Sequence, residues 1–267
     1  MGIPGSLPYQ IIYGARLLGE MTHPHLSRAP IVEGLIDIQV KQHPDWSAEQ
    51  LDPLIAKLKG SYAQVKPLQQ IHARVKLEQG KPPSQAIESK PGGYRLERQL
   101  PPFVILARRE GFTLSRLAPY DTWDNLVIEA RPLWQEYCNV CKPEAVTRVA
   151  TRYINRIELP IEGLDFDDYL TAAPRVPRRL QQTLVHFLSR IVTPDPDSGA
   201  SVAISQVLEE ANPATRKVPV LVDIDVYKQL DLSVDSEDVW GLLNKMRELK
   251  NCAFFDSLTP KALELFK

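Results

Sequence analysis

VTRVATRYINRIELP, residues 146–160, alternates like a β-strand, yet it spaces three arginines four residues apart, at Arg148, Arg152 and Arg156. Side chains alternate across a strand, so positions 148, 150, 152, 154, 156 and 158 share one face. Val149, Thr151, Tyr153, Asn155, Ile157 and Leu159 share the other. At ~3.3 Å per residue the guanidinium groups recur about every 13 Å along such a strand. A strand that is apolar on one face and cationic on the other belongs in a half-buried antiparallel sheet.

The elements around it follow the same logic. APIVEGLIDIQV (29–40) alternates as a strand, and SAEQLDPLIAKLKGSY (47–62) carries Leu51, Leu54, Ile55 and Leu58 at helical spacing behind a serine cap signal. LQQIHARVKLEQ (68–79) alternates again, with His72, Arg74 and Lys76 on its polar side, and KPPSQAIESKPGG (81–93) reads as a loop. Short strands are expected over 94–100, 103–110 and 112–118, with a tight hairpin at Gly111. DTWDNLVIEARPLWQEYCNV (121–140) is a helix that Pro132 should kink. After the arginine strand come a short irregular piece (165–174) and strands over 180–193, 199–210 and 218–228. A helix over 236–251 follows, and a last helix is started by Thr259 and Pro260.

Strand, helix, several strands, long helix, and then the same again: the order predicts an α+β protein of two related β-α-β-meander-α units, 29–143 and 144–267. In each, a long helix covers one face of a curved antiparallel sheet, as in helix-grip and TATA-binding-protein-like architectures. Residues 1–20 lack a basic start, a long apolar core and a cleavage site, and Met21 precedes the first well-patterned segment. Residues 1–28 are therefore expected to be a mobile extension, with Met21 as the natural start.

The chain of 267 residues has a net charge of −1, which argues against a protein that coats nucleic acid at large. The charge is unevenly spread: ten bases against four acids between Lys66 and Arg116, thirteen acids against eight bases from Asp195 onward. No apolar run approaches the ~20 residues of a membrane helix. Three cysteines suit a reducing compartment, so the expected location is cytoplasmic, with no membrane partner.

Three readings of the arginine row compete, one of them a surface for a protein partner. In a second, Arg148, Arg152 and Arg156 form a basic sheet face for an anionic ligand, joined by Arg74 and Lys76 and supported by Tyr153 and Asn155. In the third, the commoner use of such a pattern, the arginines pair with Asp37, Asp223 and Asp225 on neighbouring strands. Asp223 and Asp225 point the same way and would be the core of a metal-dependent nuclease, but the further ligands such a site needs are missing. CNVC (138–141) has the spacing of half a zinc site and no second half. No phosphate-binding glycine motif and no nucleophile elbow occurs, so no cofactor, metal or catalytic residue is assigned.

TRYINRIELP, RLAPYDTW (116–123) and LKNCAFFDSLTPKALELF (249–266) together resemble a sporadically distributed, uncharacterised prokaryotic family with an R-Y-I-N-R core and a K-N-x-F-F-x-S-L-T tail. Its marked positions here are Arg152, Tyr153, Asn155 and Arg156, then Lys250, Asn251, Phe254, Phe255, Ser257 and Thr259. The resemblance implies no known activity, and its patchy distribution suggests a defence module. The expected function is a non-catalytic binding component of a multi-component prokaryotic system, in antiviral defence, holding nucleic acid or a partner protein encoded nearby. The alternatives are a nuclease using His72 or the Asp223/Asp225 pair, or an adaptor binding one partner through its acidic end.

Overall fold

A computed structural model describes residues 23–24, 26–76, 84–212 and 214–267, with side chains outside 70–90. The elements run β1 (Ile31–Lys41), α1 (Asp52–Leu58), β2 (Gln64–Lys76), β3 (Ser84–Gln99), β4 (Pro102–Arg108), β5 (Gly111–Leu117), α2 (Trp123–Cys141), β6 (Ala145–Pro160), β7 (Leu188–Pro194), β8 (Ser201–Leu208), β9 (Lys217–Leu232), α3 (Asp238–Ser257) and α4 (Pro260–Glu264). The strands form one open sheet of nine, in the order β2-β3-β4-β5-β1-β6-β9-β8-β7, and every neighbouring pair is antiparallel. The protein is thus α+β.

Strand alternation decides which face the helices take. Phe112, Ile38 and Val149 sit opposite one another on β5, β1 and β6, all buried on the same side. Phe112 packs against Trp134 and Tyr137 of α2, while Tyr153, in phase with Val149, lies beneath Lys250 of α3. Both long helices therefore cover one face, and Trp123, Trp134 and Trp240 are buried there. The indole of Trp123 ties the helices together by donating to Asn244 at 2.7 Å. Thr122 caps α2 by accepting from the Asn125 amide, and the helix continues through Pro132.

Several elements differ from expectation. β7 starts only at Leu188, so the strand expected over 180–193 forms in its second half alone. β3 starts at Ser84, so the loop expected over 81–93 is largely strand; Gly93 absorbs its proline–glycine run at a register shift opposite Leu68/Gln69. α1 is shorter than 47–62 and is preceded by a 3-10 turn. α3 runs on to Ser257, taking Phe254 and Phe255 into the helix rather than past its end. Most of the extension expected over 1–28 lies outside the described residues, but its last part is held: Arg28 donates from its amide to Phe266 O at 3.0 Å.

The hairpin expected at Gly111 forms, and the glycine is obligatory. Its φ is +147°, and a Cβ there would meet the Ile38 carbonyl oxygen at 2.1 Å. Gly111→Ala is expected to lower stability by about 2–3 kcal/mol, read from the urea midpoint, because neither the backbone angle nor the β1 contact can relax cheaply.

Candidate functional site

The arginines lie on the face opposite the helices, as the alternation requires, and each meets a carboxylate. Arg148 donates from Nη1 to Asp37 Oδ2 at 2.9 Å and from Nη2 to Asp225 Oδ2 at 3.4 Å, with its guanidinium 4.8 Å over the Tyr227 ring. Arg152 grips Asp223 with two parallel bonds, Nε to Oδ1 at 2.8 Å and Nη2 to Oδ2 at 2.6 Å. That fork-on-carboxylate geometry is the strongest an arginine makes. Arg156 reaches Glu209 at 2.8 Å and also Glu158 on its own strand.

One arginine of this cluster was not anticipated. Arg108 donates from Nη2 to Asp37 Oδ1 at 3.0 Å and to Thr113 Oγ1 at 2.7 Å, and the Thr113 hydroxyl donates to the same Asp37 oxygen at 2.6 Å. The centre of the face is therefore a lattice of three arginines (108, 148, 152) and three aspartates (37, 223, 225) across five adjacent strands. Burial pushes the Asp225 carboxyl above its usual range, against the pull of Arg148 and Arg152, and the nearby Asp223 and Asp37 charges add to that rise. The hydrogen bonds from Asp223 hold the Arg152 proton more firmly still. The pair that a nuclease reading relied on is occupied: Asp223 by Arg152, Asp225 by Arg148. An incoming phosphate would have to displace these carboxylates and then sit beside them.

Exposure separates the row. The Arg148 side chain is 16% exposed, whereas Arg152 and Arg156 keep 42% and 40%. Arg148 is a largely covered structural charge, and the other two are the ones open to a ligand.

Tyr153 and Asn155 are on the helix face, buried, and do not join the arginines. Asn155 donates to Val222 O at 3.0 Å, bridging β6 to β9; the Tyr153 hydroxyl lies 2.7 Å from that of Tyr120. Arg74 and Lys76 are on β2, five strands from β6 and so about 24 Å away at the usual interstrand spacing; their side chains lie outside the described residues. The structure does not bring them to the row.

The tail residues also converge, but on the core. Lys250 is buried with Nζ 3.9 Å above the Tyr153 ring, so the two marked motifs meet. A signal for this was available: positions 239, 243, 246, 250 and 254 form one helical stripe, apolar except for the lysine. Ser257 donates to Ala253 O at 2.6 Å; Thr259 caps α4 by accepting from the Ala262 amide and donates to Asp168 O. Phe255 stacks on His23 at 4.5 Å, and His23 Nε2 lies 3.5 Å from Cys252 Sγ. All three cysteines are free, with Cys138 and Cys141 at the end of α2, where burial pushes their thiols up to about 12 and about 11.

Among the described residues no cluster of three His, Cys, Asp or Glu could hold a metal ion, and no helix is long and apolar enough to cross a membrane. The larger of two notable cavities, about 760 Å³, lies under the irregular segment before β7, between Phe166, Leu184, Leu208 and Val218. Its charged rim is closed on itself, Arg175 to Asp167 at 2.7 Å and Glu209 to Arg156. Compared with family models and with curated proteins, the chain matches none.

Proposed function

We propose that this protein is a non-catalytic binding component of a multi-component prokaryotic system, in antiviral defence, and that it holds a partner protein on the arginine face of its sheet. The observation that carries the reading is the pairing of Arg152 and Arg156 with carboxylates while both stay substantially exposed. A face of exposed, alternating charge pairs suits a partner that also carries both signs, since pairs can be exchanged without leaving a charge uncompensated. A polyanion would meet Asp223, Glu158 and Glu209 together with the arginines.

The same reading takes the chain as a duplicated unit. What supports it is strand order: β1 lies beside β5, the last strand of its meander, β6 beside β9, and β1 pairs with β6 at the centre. A saddle of the TATA-binding-protein-like kind would have that arrangement, with its helix-free face for the partner.

The row spacing and the exposure of two arginines favour nucleic acid as the second reading, and one double mutant separates them. For the partner-protein reading, wild type shows no salt-dependent binding to RNA or DNA, and Arg152→Ala/Arg156→Ala loses a neighbouring gene's product on co-purification. If instead wild type binds polynucleotide and the double mutant lowers the salt slope by up to ~2 phosphate contacts, the nucleic-acid reading replaces it. The fold should survive either way, because half-exposed ion pairs contribute little to stability.

A further inference from the structure

We propose that β7 is the dimerisation edge of the protein: two copies pair β7 against β7 about a two-fold axis, joining their nine-stranded sheets into one. β7 pairs with β8 on one side and, among the described residues, ends the sheet on the other. Unpaired edges are normally blunted by charge, by proline or by brevity. The opposite edge, β2, follows that rule with Lys66, Pro67, Arg74 and Lys76. β7, LSRIVTP, is short and carries its proline only at the last position, and its one charged residue, Arg190, is turned back onto its own sheet, donating to Ser205 Oγ at 3.0 Å.

Exposed apolar side chains gather at this edge. Of nine large apolar side chains that are exposed among the described residues, five fall within residues 180–192: Leu180, Val185, Leu188, Ile191 and Val192. Val185 is 87% and Leu188 68% exposed. On β7 itself Ile191 lies on the helix face and Leu188 and Val192 on the other, so a strand paired there covers apolar side chains on both sides of the sheet.

A second copy fits this edge because the strand is complementary to itself. A two-fold axis at a sheet edge can only generate an antiparallel pair, which continues the pattern of the sheet. Centred on Ile191, it sets Ile191 against its copy and Ser189 against Thr193 on the helix face. On the other face it sets Leu188 against Pro194 and Arg190 against Val192. No like charges are directly opposed, aliphatic meets aliphatic and hydroxyl meets hydroxyl. The net charge of −1 adds little repulsion between copies.

A groove of about 350 Å³ runs in from the edge on the helix face, between Ser189, Ile191 and Thr193 of β7 and Leu249 and Cys252 of α3. Gln206, 5% exposed, lines it with an Oε1 that is buried and has no hydrogen-bond partner.

Light scattering and sedimentation of the full chain, from low to high micromolar concentration, test the pairing. The expected result is a shift from monomer to dimer mass, with the midpoint raised about tenfold or more by Ile191→Lys, which opposes two ammonium groups across the axis. Ile191 is already exposed, and an unchanged circular dichroism spectrum would show the variant folded. Should it not fold, hydrogen exchange on wild type decides: the amides of 188–194 slow as concentration rises. A chain that stays monomeric throughout, a dimer whose midpoint the variant leaves alone, or exchange at 188–194 independent of concentration overturns the proposal.

Discussion

Arg148→Ala is expected to destabilise the protein by about 2–4 kcal/mol in urea denaturation at neutral pH, somewhat under the cost of removing one partner from a fully buried ion pair, because the cluster is largely but not wholly covered. Arg148 links Asp37 and Asp225. Without it Asp37 keeps Arg108 and Thr113, while Asp225, whose carboxyl is already raised by burial, loses its one direct cation among the described residues. The Tyr227 ring loses the guanidinium that covers it. A raised carboxyl in the folded state contributes most below its unfolded value, and that contribution is lost as pH rises through the folded value. The penalty of the mutation is thus smallest in acid, where Asp225 is neutral, and grows toward neutrality. Arg148→Ala/Asp225→Asn should recover part of the loss, because the orphaned charge is gone. A loss below about 1 kcal/mol, with no rescue, would show that water reaches the cluster and that Arg148 is a surface charge like any other.

The faces of the sheet were legible because alternation is local: RVATRYINR states by itself which side chains share a side, and the buried and exposed residues of β6 follow it. The acidic partners Asp37, Asp223 and Asp225 were legible as candidates for the same reason, since each alternates onto the polar side of its strand. What could not be read is register. Arg108 meets Asp37 only because β4, β5 and β1 are aligned as Leu106–Thr113–Asp37, which depends on one hairpin turn and a pairing across more than seventy residues. Arg156 finds Glu209 because β8 ends at Leu208 and turns away just there. The same end explains why β7 is short. Leu188 pairs with Val207, and the alternating residues 180–187 have no strand to pair with beyond it. Periodicity marks what a segment could form; a partner strand decides whether it does.

Lys250 is where the two ends of the chain's signature meet, and it sets the pH dependence of the fold. It occupies a core position on α3, under burial that pulls its pKa down to about 7, with Arg247 adding to the fall and Glu248 opposing it. The hydroxyls of Tyr153 and Tyr120 are paired with one another, each raised by burial and hence neutral at physiological pH. Among the described residues the Tyr153 ring is what lies against the ammonium, and it supplies about 1–2 kcal/mol for a desolvated pair, less than the cost of burying the charge. Below pH 7 both folded and unfolded chains carry the proton, and the fold bears the full cost. Between about 7 and 10 the unfolded chain keeps a proton that the native protein has released, so stability rises with pH by up to ~1.4 kcal/mol per unit, roughly 4 kcal/mol in all. Lys250→Met keeps an unbranched side chain of similar length and removes the charge. It should raise stability by about 2–4 kcal/mol at pH 6, and the difference from wild type should vanish toward pH 10. That difference isolates the lysine from the buried thiols, which titrate with the opposite sign in the same range. If the methionine variant is no more stable than wild type at pH 6, the ammonium is better compensated than a single ring allows, and the Lys250 charge helps hold the fold.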